Sequence, residues 1–233
     1  MGHARRSPAV KAALAAIPFI LAVLSGAALA QERRLEPVDE GAKDASWVSF
    51  RNRLLAALEK RDRKFLLSVL DRNVRGSLEG PRGVAAFRRH WEVDAEDSWL
   101  WRELSSALFL GAAYFKREKG QRELCAPYVL ARWPEDLDPR SNGAIITREV
   151  LVKAEPSSDS PTLATLSYHI VAVADWEVDD RFAASKQKWV KIRLPAGEGF
   201  VPEEQIRSAV ENAACFVKTE AGWRMTALAP AGG

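Results

Sequence analysis

From Asp44 onward the apolar positions fall into a helical rhythm. Trp47, Phe50, Leu54 and Leu58 recur at steps of three and four, which puts them on one face of a helix. Asp62 stands where it can cap a second, short helix with Phe65, Leu66, Val69 and Leu70 turned inward. Gly76, Gly80, Pro81 and Gly83 break the pattern, and "VRGSLEG" between them reads as a short strand or a loop. A third helix carries Val84, Phe87 and Trp91 on one side. A fourth starts at Asp97 or Ser98, carries Trp101, Leu104 and Leu108, and ends at Gly111.

The period then shortens to two. "AAYFKREKGQRELCAPYVLARWP" reads as two β-runs joined at Lys119-Gly120, with Pro127 placing the second run at an edge or a bulge. Short alternating strands follow from Ile145 to Ile206, separated by "EPSSDSP" and "DDRFAASKQ". In the last run, Ala214, Phe216, Trp223 and Met225 alternate with polar neighbours around Gly222, which predicts a hairpin over 211–229. Helices followed by strands make the class α+β.

The first 30 residues have a different character. Arg5, Arg6 and Lys11 precede an apolar run from Ala12 to Leu24, and Ala28-Leu29-Ala30 offers small residues for cleavage, the three-part pattern of a secretory signal. Pro18, Ser25 and Gly26 interrupt the run, which argues against a membrane-spanning helix, and no Cys is present for a lipid anchor. The expected location is therefore periplasmic or secreted, with no membrane span after cleavage near Ala30. Residues 31–43 are polar and aperiodic and read as a linker.

Removing the signal changes the electrostatics. The whole chain carries a formal +3, and the signal holds three of the cations and none of the acids, so 31 basic and 31 acidic residues remain. A balanced surface lacks the clustered surplus cations that displace counterions from phosphates, and no nucleic-acid partner is expected. "RRH" at 88–90 and "KREK" at 116–119 are flanked by acids and read as solvated surface. Cys125 and Cys215 are the two cysteines. In an exported chain they can pair, and two separate buried thiols are the alternative.

"VLVKAEPSSDSPTLATL" (150–166), "IVAV" (170–173), "KWVKIRL" (188–194) and "GEGFV" (197–201) resemble, in order and spacing, the bacterial Src-homology-3-like domain, a small β-barrel of exported and cell-wall proteins. The resemblance covers 144–207 and departs from the family where Val152-Lys153, Glu155-Pro156 and Phe200 stand in place of its usual residues. In layout, "LLAALEKRDRKFLLSVLDRNV" and "GPRGVAAFRRHW", together with the closing "CFVKTEAGWRMTAL", are similar to the α+β cone of the nuclear transport factor 2-like superfamily. The two resemblances together imply a cone over 44–140, a barrel inserted at 144–207 and a hairpin that returns to the cone, with a Cys125–Cys215 bond fastening that sheet across the insertion.

Chemistry is sparse. Gly197-Glu198-Gly199 runs into Phe200-Val201-Pro202, another strand, so it matches neither a dinucleotide nor a phosphate loop, and its glycines read as turn residues with positive φ. Past the signal only His90 and His169 remain, with no HExxH, GxSxG or Cys/His cluster, so neither a metal nor a cofactor is expected. The resemblance to the barrel implies an envelope protein, a peptide or peptidoglycan as partner and no catalytic residues; the family fixes no ligand residue, and Tyr168, Trp176 and Trp189 are the candidate contacts on this barrel. The alternative is a small cone enzyme working on an apolar ligand by acid/base chemistry through Asp71 or His90, with Tyr114 and Tyr128 within reach of its pocket. Among the eight tryptophans Trp99 alone stands off its helix's apolar face.

Overall fold

The computed structural model describes residues 1–2, 32–116 and 122–231. Apart from Met1 and Gly2 the expected signal lies outside them, as does the expected turn at Lys119-Gly120. None of the described helices is long and apolar enough to cross a membrane. From Glu32 onward the chain packs as one unit, with helices and two open sheets in an α+β arrangement.

Local chemistry accounts for the helices. Asp44 accepts hydrogen bonds from the backbone N–H groups of Ser46 and Trp47 and starts α1 (Ala45–Glu59), which buries Trp47, Phe50, Leu54 and Leu58. Asp62 does the same for Phe65 at the start of α2 (Arg63–Ser68). Leu70, expected at the end of that helix, instead opens strand β1 (Leu70–Arg75). Helices α3 (Val84–His90) and α4 (Leu100–Phe109) follow, with Phe87, Trp101, Leu104 and Leu108 buried.

After β2 (Ala113–Lys116) and β3 (Arg122–Ala126) the expected second β-run is cut short. Pro127 has no N–H to give the ladder, β3 ends before it, and residues Tyr128–Arg132 form a helix, α5. Tyr128 is thus a fully buried helical residue rather than part of the expected β-run.

The later strands are β4 (Asn142–Ile145), β5 (Val150–Lys153), β6 (Thr162–Leu166), β7 (Ile170–Asp179), β8 (Lys188–Leu194), β9 (Gly197–Pro202), β10 (Ile206–Arg207), β11 (Asn212–Thr219) and β12 (Gly222–Pro230). The first sheet has the order β1-β12-β11-β3-β2, so the C-terminal hairpin occupies its middle. Its helical side is filled by Phe50, Leu54, Phe87, Trp91, Phe216 and Met225, among others.

The second sheet has the order β10-β4-β7-β8-β9-β5-β6 and is open: no ladder joins β10 to β6 among the described residues. Strand β7 pairs with β4 through Ile170–Ala172 and with β8 from Val173 onward, with register shifts between. That bend lets Ile145, Val152, Val173, Ile192, Val201 and Ile206, drawn from six strands, meet in one apolar core, so the sheet curls without closing.

Gly197 has φ +140° at the β8–β9 turn, as its sequence context predicts. Gly199 plays a different part: a Cβ there would lie 2.5 Å from Val152 Cγ1 and 3.2 Å from the Lys153 carbonyl oxygen, so its bare Cα is what lets β5 and β9 approach.

Residues 32–43, read as linker, are a packed strap. Arg34 bridges to His169, Leu35 is buried, and Asp39 pairs with Arg51 at 2.5 Å. Glu40 accepts from the Tyr114 N–H and pairs with Arg132. Leu35 joins Ala113, Tyr128, Val129, Ala144 and Ala209 in a third apolar cluster, which draws on the strap, both sheets and α5.

Candidate functional site

Where α4 and the β10–β11 corner meet, a buried guanidinium gathers two carboxylates. Arg207, 10% exposed in its side chain, lies 3.0 Å from Glu103 of α4 and donates to the Asn212 carbonyl at 2.8 Å. Its Nε is 3.4 Å from Glu211, whose other carboxylate oxygen accepts from the Ser208 N–H at 2.6 Å. Charges taken out of water need such partners, and this cluster locks the corner onto the helix.

Beside it opens a cleft of about 400 Å³, with Trp176, Val190, Ile206 and Val210 as apolar lining and Arg140, Glu177, Glu203 and Glu211 as charged lining. The Trp176 indole N–H donates to the Arg140 carbonyl at 2.9 Å, which fixes the ring and leaves it half-buried at the cleft wall. Glu211 is 41% exposed in its side chain, yet protein atoms crowd the cleft around it. That desolvation pushes its carboxyl above the usual value, against the pull of Arg207 and the Ser208 N–H, and with help from the negative charges of Glu103 and Glu203. A second cleft of about 640 Å³ shares Glu203, Ile206 and Glu211 and reaches Phe109 and Lys186.

The residues singled out in the sequence are scattered. Trp189 is 2% exposed and its N–H is bonded to Asp180, so it is a core residue that offers no face to a ligand. Tyr168 sits at the β6–β7 turn with φ +59°, under the Arg148 guanidinium at 5.8 Å. Trp176, by contrast, lines the cleft described above. Trp99, 44% exposed, rests against Trp91 at 4.3 Å between ring centres.

The four residues of the acid/base alternative stand in different surroundings. Asp71 lines a polar hollow of about 270 Å³ together with Asn73, Arg82 and Thr226, and accepts from the Asn73 N–H. His90 is exposed, edge-on to Trp91. Tyr114 lies under Arg122. Tyr128 donates its hydroxyl to the Leu35 carbonyl, and burial pushes its pKa up to about 12. Acid/base work needs groups converging on one reacting atom, and these do not converge.

Among the described residues the one group with metal-ligand spacing is Glu123, Cys125 and Cys215. Its two sulfurs are joined to each other as a disulfide, so neither is a thiolate free to ligate. A further hollow, about 730 Å³ beside α3, has the short side chains of Ala85 and Ala95 in its lining, and its Arg88 and Asp94 already satisfy each other through two hydrogen bonds.

Sequence reasoning named Trp176 and missed Arg207 and Glu211, which stand four positions apart, and Glu103, 104 positions before Arg207; the three follow no motif. Comparison of the chain with family models, with curated proteins and with solved structures gives no match in any of the three.

Proposed function

We propose that this chain is an exported binding or scaffold module of the bacterial cell envelope, built from a cone-like α+β part and an SH3-like barrel that curls without closing, and that it does not act as an enzyme. The observation that carries the reading is the Trp176 cleft: a half-buried indole held by the Arg140 carbonyl, beside apolar Val190, Ile206 and Val210 and ringed by charge. Clefts of this size with an apolar floor and a few placed polar groups are where ligands bind. The helical side of the first sheet supports the same reading, because Phe50, Leu54, Phe87 and Trp91 fill the space in which a cone enzyme keeps its pocket. A disulfide between Cys125 and Cys215 suits an oxidising compartment outside the cytoplasm.

The test is co-sedimentation of the protein with purified cell-wall sacculi, alongside pull-down of solubilised envelope proteins, for the wild type and Trp176→Ala. Loss of an aromatic anchor at the centre of a site lowers affinity by about tenfold or more. Equal retention of the two proteins, with unfolding midpoints matched, would remove the cleft from the reading.

A further inference from the structure

We infer that the Trp176 cleft takes a basic peptide segment, one carrying lysine or arginine next to apolar residues; this rests on the binding reading above. The charged lining consists of three carboxylates, Glu177, Glu203 and Glu211, against one guanidinium, Arg140. Arg207 behind Glu211 is already shared with Glu103, so it does not reverse the sign of the cleft.

Two of the carboxylates are unspent. The carboxylates of Glu177 and Glu203 have no ion-pair or hydrogen-bond partner among the described residues, and both side chains belong to exposed residues at the cleft rim. The nearby Lys188 is bonded to Asp179 and feels the charges of Glu177 and Glu203 more weakly, while Glu204 is engaged by Gln187. An incoming ammonium or guanidinium therefore meets acceptors that need not be stripped of a protein partner first.

The apolar side of the cleft fits the same ligand. A lysine or arginine is a charged head on an apolar stem, and its stem packs on surfaces such as Ile206 and Val210 while the head reaches outward. The fixed Trp176 ring adds a face on which a cation is attracted by the ring quadrupole. An anionic ligand would face three carboxylates against Arg140, the one cation among the described lining residues, and a wholly apolar one would desolvate Glu177 and Glu203. The volume, about 400 Å³, lies in the range that accepts a short segment of chain.

The experiment is fluorescence anisotropy of a short labelled peptide alternating lysine and leucine, and of the same peptide with every lysine Nε-acetylated, at low and high salt. Wild-type protein is expected to bind the charged peptide about tenfold or more tightly than the acetylated one, with the difference shrinking at high salt. Glu177→Gln with Glu203→Gln is expected to weaken the charged peptide about fivefold and leave the acetylated one unchanged, with no change in unfolding midpoint because both side chains are exposed. Trp176→Ala is expected to weaken both peptides. Equal affinity for the two peptides, no effect of the double glutamine variant, or failure of both peptides to bind overturns the basic-peptide inference. If Trp176→Ala also retains sacculi and envelope proteins as the wild type does, the cleft reading falls with it; if that variant loses them, the cleft reading stands and only its ligand chemistry was misassigned.

Discussion

Cys125 of β3 and Cys215 of β11 face each other directly across neighbouring strands and are joined by a disulfide, although 90 residues separate them in the chain. The whole of the second sheet lies within the loop this bond closes. In the chain-entropy account a loop of that length is worth about 4 to 5 kcal/mol of native stability. Urea unfolding of Cys125→Ala with Cys215→Ala is expected to show a loss of that order. Alkylation of both cysteines under denaturing conditions without reductant would contradict the bond itself.

Arg207 is the one cation between Glu103 and Glu211, and its side chain is 10% exposed. Arg207→Met leaves Glu103 partly buried with no counterion, a change expected to cost about 3 kcal/mol in denaturant unfolding. Adding Glu103→Gln should restore part of the loss, because the stranded charge is then gone. A single-variant loss below about 1 kcal/mol would show that the corner is not held by this cluster.

Glu211 makes a pH prediction with a definite sign. Its native carboxyl binds its proton more tightly than the ordinary value of 4.5, chiefly through desolvation. In the window from 4.5 up to that raised value the native state holds more protons than the unfolded one. Stability therefore falls as pH rises through the window and is regained as pH falls. The difference in unfolding midpoint between wild type and Glu211→Gln should change across that window and level off above it. A flat difference would contradict the assignment.

Gly199 and Gly197 look alike in the sequence but are required for different reasons. Gly199→Ala drives a Cβ to within 2.5 Å of Val152 Cγ1 and is expected to cost about 1 to 3 kcal/mol through overpacking. Gly197→Ala meets open space, and its cost comes from φ +140° alone. Adding Val152→Ala should relieve the first variant and leave the second unchanged, a coupling that thermal unfolding of the double variants reads directly.

How legible the protein was depended on the range of the signal. The faces of α1 and α4 were readable because three or four apolar residues repeat at helical spacing, and Asp62 could be named as a cap from one residue. Helix α5 was not readable: "YVLAR" is short, is parted from β3 by Pro127 alone and begins with two residues favoured in strands. The strap was missed for a related reason, since Leu35 stands in a polar, aperiodic run and its burial depends on Tyr128 and Ala144, more than 90 positions away. Trp176 and Trp189 were both chosen for ligand contact as aromatic residues of the expected barrel, and the strand pattern treats them alike. Only burial separates the tryptophan that lines a cleft from the one that fills a core.

By itself the sequence determined the α+β class, the apolar helix faces, the terminal hairpin and the glycine turn at Gly197. Each of these follows from side-chain direction along a regular backbone, or from a φ that only glycine adopts without strain. Tertiary structure alone decided that the hairpin lies in the middle of the first sheet, that the second sheet curls yet stays open, and that Glu103, Trp176, Arg207 and Glu211 gather at one corner. Those arrangements depend on which distant surfaces fill one another's space and which buried charges find partners, and no local pattern in the chain encodes that choice.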